Sequence, residues 1–81
     1  MFYVYALKST KHNRIYIGLT KDLVKRIKEH NLGQTKSTSF YKPWALFYSE
    51  KLDTRTEARV QEKKLKSGSG REFLRKIIMP L

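Results

Sequence analysis

Two short runs in which side chains alternate in character, FYVYALK at 2–8 and RIYIGL at 14–19, stand on either side of the polar, turn-prone stretch STKHN. A period of two sends successive side chains to opposite faces of an extended chain, and two such runs this close together suit an antiparallel hairpin. Phe2, Val4 and Ala6 fall on one face of the first run, with Tyr3, Tyr5 and Leu7 on the other. In the second run Ile15 and Ile17 oppose Tyr16 and Gly18. Directly paired residues share a face, so matching the aliphatic faces pairs Val4 with Ile17 and Ala6 with Ile15. Tyr5 then stands opposite Tyr16, and Gly18 beside Tyr3 leaves a gap where a ligand backbone has room to approach. A neighbouring odd-sum register shifts the partners and keeps both tyrosines on one face.

Local signals place the remaining elements. Thr20 reads as an N-cap, with Asp22 in the first turn, for a helix over about 21–31 that closes near Asn31 and Gly33. Leu23 and Ile27 form its apolar stripe, and Arg26 and His30, one turn apart, lie on one flank of that stripe as boundary residues. GQTKSTSFYK is a polar loop, and a third strand follows Pro43 over about Trp44–Ser49, since proline is tolerated at a strand start. Thr54 and Glu57 fit a capping box opening a helix over about 55–66, whose apolar face carries Ala58 and Leu65 with Glu62 between them in projection. Gly68 ends it, and Ser69 with Glu72 forms a second capping box for a helix near 70–78 that turns Phe73, Leu74, Ile77 and Ile78 inward. The expected fold is a small α/β domain in the order β-β-α-β-α-α, a three-stranded antiparallel sheet flanked by three helices, with residues 1–81 forming one domain.

A chain of 81 residues without cysteine must hold its core by packing alone, and it leans toward a reducing compartment. MFYVYAL has no charged leader and reads as a strand rather than a signal peptide. No apolar run approaches the roughly 18 residues that span a bilayer, so a cytoplasmic location and no membrane partner are expected. Eighteen Lys and Arg against seven Asp and Glu give a formal charge of +11. That excess favours a polyanion, because each neutralised phosphate releases condensed counterions. A merely basic surface, or a ribosome-associated protein, is the blander reading of the same charge.

The elements that carry chemistry come in a fixed order: YVY at 3–5, YIG at 16–18, KRIKEHN at 25–31 and EKKLK at 62–66. Together they resemble the GIY-YIG nuclease superfamily, and most of all its small single-domain bacterial branch, related to the N-terminal domain of the excision-repair nuclease. The similarity extends through GREFL at 70–74. It departs at the motif's own name, since YVY replaces GIY and Tyr3 holds the glycine position, while Tyr5 still matches the motif tyrosine. The resemblance implies a DNA endonuclease, with RNA as a further substrate class, that hydrolyses phosphodiesters in repair or branched-DNA processing with one divalent ion, Mg²⁺ or Mn²⁺. It implies catalytic roles for Tyr5, Tyr16, Arg26, His30 and Glu62, with Glu62 the metal ligand.

The chemistry of these side chains suits those roles. Arg26 can hold a phosphate through bidentate contacts, Glu62 offers a hard oxygen, and a phenol or His30 can take a proton once neighbouring charge depresses its pKa. Taken singly, each has an ordinary reading as well: cross-strand aromatics for the tyrosines, a solvated cation for Arg26, a C-terminal dipole partner for His30, and an i,i+4 pair with Lys66 for Glu62. Gly18, Asn31, Lys36, Lys63, Lys66 and Arg71 are weaker candidates for contact with nucleic acid. The competing functional classes are a nucleic-acid-binding module without nuclease activity and a basic protein-binding adaptor.

Overall fold

A computed structural model of the chain describes residues 1–78. Strand β1 (Phe2–Ser9) pairs antiparallel with β2 (Ile15–Thr20) on one side and with β3 (Trp44–Leu52) on the other. The sheet order is therefore β2-β1-β3, with β1 central. Helix α1 (Leu23–Asn31) follows β2, and α2 (Arg55–Lys66) and α3 (Gly68–Ile78) follow β3, giving the order β-β-α-β-α-α.

The hairpin register differs from the expected one by two residues: Ala6 stands opposite Ile17, Leu7 opposite Tyr16, and Tyr5 opposite Gly18. A two-residue offset leaves every side chain on its face, so alternation cannot distinguish the pairings. Volume separates them. A Cβ on Gly18 would lie 2.6 Å from the Tyr5 hydroxyl oxygen and 2.7 Å from Cζ. The glycine gives the Tyr5 ring its space, and the gap above it is filled from within.

Both faces of β1 are covered. Val4, Ala6 and Ile17 meet Ala58 and Leu65 of α2 and Leu74 of α3. On the opposite face Tyr5, Leu7 and Trp44 gather Tyr16, Tyr41 and the Leu23 and Ile27 stripe of α1. Burial on two sides explains why β1 carries large side chains at consecutive positions.

The caps refine the boundaries. Asp22, rather than Thr20, caps α1, its carboxylate accepting from the Lys25 amide at 3.1 Å. The Thr20 hydroxyl accepts from the Asp22 amide and shapes the turn before it. Gly33, at φ +79°, takes the left-handed position just past the helix that residues with a Cβ rarely adopt. The Thr54–Glu57 capping box on α2 forms as expected. The box expected at Ser69 and Glu72 does not: α3 begins at Gly68, and the Ser67 hydroxyl accepts from the Gly70 amide. The tight α2–α3 corner accounts for this, since a Cβ on Gly70 would collide with backbone atoms of Lys64 and Leu65. Phe73 and Ile77, expected inside, are 47% and 40% exposed, while Leu74 is fully buried. Only one side of so short a helix meets the sheet. Among the described residues no helix is long and apolar enough to cross a membrane.

Candidate active site

Tyr5, fixed in the central strand, points its hydroxyl at the last turn of α1, where it lies 3.0 Å from His30 Nε2. His30 Nδ1 lies 2.8 Å from the Thr38 hydroxyl, which donates to the Thr35 carbonyl at 3.3 Å. A threonine hydroxyl that donates to a carbonyl accepts from its other neighbour, so Nδ1 carries the imidazole proton and Nε2 is left to accept from Tyr5. All three side chains are almost wholly inaccessible. His30 is thus no boundary residue: the 33–43 loop folds over it, and Trp44 Nε1 holds that loop by donating to the Thr38 carbonyl.

Burial sets the protonation states. Desolvation, with the Arg26 charge adding to it, lowers the His30 pKa below its ordinary 6.5 and keeps the ring neutral. Burial, together with the neighbouring Tyr16 phenol, raises the Tyr5 pKa to about 12, against the opposing pull of Arg26. Arg26 itself is half-buried and joined to Glu29 at 2.9 Å.

Tyr16 lies beside this array, its ring centroid 4.7 Å from that of His30 and 6.2 Å from that of Tyr5. It also lines an open cavity of about 220 Å³ together with Gly18, Leu19, Arg55, Arg59 and Glu62. Tyr16 and Gly18 belong to the face of β2 that meets α1, whereas Glu62 comes from α2 on the other side of the sheet. They meet because β2 is an edge strand and the helix reaches around it. Gly18 lines this cavity and also touches the Tyr5 phenol, so the buried hydroxyl sits just beneath the cavity floor.

The chain matches the GIY-YIG catalytic domain family over residues 1–76. It belongs to that family. It is 40% identical to a UPF0213 protein of Staphylococcus saprophyticus over 76 residues, spanning 93% of this chain and 92% of that one. A UPF0213 protein of Staphylococcus aureus is 34% identical over the same share. The solution NMR structure of a UPF0213 protein from Bacillus halodurans superposes with a TM-score of 0.56 at 31% identity, covering 95% of this chain and 85% of that one.

In this GIY-YIG domain the motif tyrosines, His30 and Arg26 surround one point of the β1–β2–α1 face, with Glu62 reaching it past the β2 edge. A single carboxylate fits a hard divalent ion that takes its remaining oxygens from water and substrate. No cluster of three or more His, Cys, Asp or Glu occurs among the described residues, so the protein offers no fuller cage. Lys66 Nζ lies 3.1 Å from Glu62 Oε2.

The weaker candidates divide. Gly18 lines the cavity. Asn31 is committed to structure: its amide nitrogen donates to the Trp44 carbonyl at 3.1 Å and its oxygen accepts from the Trp44 amide, tying α1 to β3. Lys36 and Lys63 are exposed outside the cavity walls, Lys66 is the partner of Glu62, and Arg71 lines a separate cavity with Arg14 and Arg75. The GIY-YIG pattern does not point to Arg55, Arg59 or Thr38. The two arginines precede Glu62 by seven and three residues, a one-face helical spacing that the sequence does carry. The hydroxyls of Thr35, Ser37, Thr38 and Ser39 read alike in the sequence, as weak candidates for phosphate contact, and only the fold singles out Thr38 as the partner of His30.

Proposed function

We propose that the protein is a divalent-metal-dependent endonuclease that hydrolyses phosphodiester bonds in nucleic acid, DNA being the first substrate to try. What supports the reading is the cavity shared by Tyr16, Gly18 and Glu62, with the Tyr5–His30 pair beneath its floor, in a chain of this nuclease family. The phosphodiester sits in the cavity with its charge met by Arg55 and Arg59 and, on its other side, by Arg26. Glu62 would hold one Mg²⁺ or Mn²⁺, which would supply charge neutralisation at phosphorus.

Tyr16, at the cavity wall, orients the attacking water. With a pKa of about 12, Tyr5 exists as a standing phenolate in only about one molecule in 10⁵ at pH 7. In the free protein Tyr5 is therefore held as the phenol rather than the phenolate. The water proton passes to the Tyr5 oxygen as the Tyr5 proton moves to neutral His30 Nε2, so no charge is stranded on the phenol. The water oxygen bonds to phosphorus, the bond to the leaving oxygen breaks, and that oxygen takes its proton from solvent.

Complete burial of Tyr5 favours one other reading, a nucleic-acid-binding module in which the phenol is only structural and nothing is cut. A panel of branched, nicked, single-stranded and duplex DNA and RNA, with Mg²⁺ and Mn²⁺ and with Glu62→Ala beside the wild type, separates the two. The nuclease reading expects metal-dependent cleavage that Glu62→Ala abolishes while binding survives. Salt-sensitive binding without cleavage of any substrate would leave only the module.

A further inference from the structure

The chain has six arginines, and all six line three cavities set along the open β2 edge. Arg26 lines the cavity at the Thr20 end, with Lys21 and Lys25. Arg55 and Arg59 line the one with Tyr16 and Glu62. Arg14, Arg71 and Arg75 line the third, about 270 Å³, with Asn13 and Ile15 at the start of the strand. Most of the twelve lysines lie elsewhere, so this distribution reflects more than overall charge.

The third cavity brings guanidiniums together from both ends of the sequence. Arg14 lies over the Tyr41 ring at 5.0 Å, and Arg71 Nε donates to the Lys66 carbonyl at 3.3 Å. None of the three is in an ion pair among the described residues, where the pairs are Arg26–Glu29 and Lys66–Glu62. Three like charges facing one hollow repel one another, and an anion seated between them relieves that repulsion. Arginine suits a phosphate there because its planar fork makes paired hydrogen bonds.

From Ile15 to Gly18 is three residues of strand, about 10 Å at roughly 3.3 Å per residue. That matches the axial span of about three successive phosphate-to-phosphate steps on one strand, at about 3.4 Å each. We propose that Arg14, Arg71 and Arg75 form a second phosphate site, which holds the backbone of the bound nucleic acid about three linkages from the one in the Tyr16–Glu62 cavity. The site rests on the nuclease reading for its direction along β2, and it binds the phosphodiester anion common to DNA and RNA.

The test measures binding rather than cutting, in the Glu62→Ala chain without divalent metal, using matched fluorescent DNA and RNA oligonucleotides across a range of salt. Arg71→Gln/Arg75→Gln lowers the slope of log K against log salt by about 0.7–0.9, the loss of one neutralised phosphate. Arg14→Gln, in a strand-flanking position rather than a helix, lowers it by the same amount, and the triple variant lowers it no further. Lys28→Gln/Lys51→Gln, which removes two exposed lysines outside the three cavities, gives less than half that change. Equal effects from the arginine and lysine pairs, or additive losses in the triple variant, would overturn the site. Cleavage by the otherwise wild-type chain is assayed separately. An unchanged slope in a chain that cuts removes this site alone, whereas the expected slope loss in a chain that never cuts removes the nuclease reading alone.

Discussion

The Tyr5 hydroxyl and His30 Nε2 lie 3.0 Å apart, across 25 residues of sequence, and join the central strand to the last turn of α1. With Nδ1 donating to Thr38, the bond has a direction: phenol to imidazole to threonine to backbone carbonyl. It holds α1 against the sheet, and in the proposed reaction it carries a proton.

Removing the phenol oxygen separates these two roles. Tyr5→Phe leaves a buried imidazole acceptor unpaired and is expected to cost about 1–3 kcal/mol in urea unfolding. Cleavage falls by about 10²–10⁴, the usual worth of a positioned proton acceptor. Tyr16→Phe, at a half-buried ring, costs less stability and leaves the acid side of the pH–rate profile unmoved.

That acid side belongs to His30. Its pKa is lowered in the folded state, so the unfolded chain binds more protons below about pH 6.5. The stability it contributes is full above that pH and is lost as pH falls toward the folded value. Denaturant midpoints followed from pH 8 to pH 5 should decline in the wild type and flatten in His30→Gln. Cleavage should show a matching acid limb, which Tyr5→Phe removes by disconnecting the ring from the reaction.

At high pH the sign reverses for Tyr5. Its folded pKa of about 12 exceeds the ordinary 10, so its contribution is complete below pH 10 and is lost between about 10 and 12. Lysines titrate there too, and the quantity to follow is the stability difference between wild type and Tyr5→Phe, which narrows across that interval.

Gly18→Ala tests the space beneath the cavity. The added methyl meets the Tyr5 hydroxyl and lies 2.9 Å from Tyr16 Cε2, so one ring must move. Overpacking of this kind costs about 1–3 kcal/mol. A lower urea midpoint with an altered near-ultraviolet tyrosine signal is the expected result, and an unchanged midpoint would show that the two rings yield freely.

How far the residues alone foretell this arrangement depends on how local each determinant is. The Thr54–Glu57 cap and the alternation of β1 and β2 lie within a few neighbouring residues, and they set helix and strands where they are expected. The hairpin register needs the volume of Tyr5 against Gly18, which face alternation cannot weigh. The burial of His30 needs Thr38, eight residues away in a loop held by Trp44, and nothing in the helical period of α1 signals that cover. Phe73 and Ile77 look like core residues by type, yet the corner at Gly70 fixes α3 so that they stay partly exposed.

Lys66→Ala should lower the divalent-ion concentration for half-maximal cleavage, because the ammonium 3.1 Å from Glu62 competes for its oxygens. Half of the lysine side chain is exposed, which limits the gain to a few-fold. A titration with Mg²⁺ that leaves the midpoint where it was would show that the pair opens at no cost.

The unpaired border of β2 has a colloidal consequence. An open strand border invites a second copy to add its own strand, and proteins guard such borders with charge. Here the guard is the arginine-lined margin itself, so two molecules meeting border to border repel each other through the groups that would grip a polyanion. Neutralising those arginines to weaken the grip would also remove the barrier to self-stacking into aggregates.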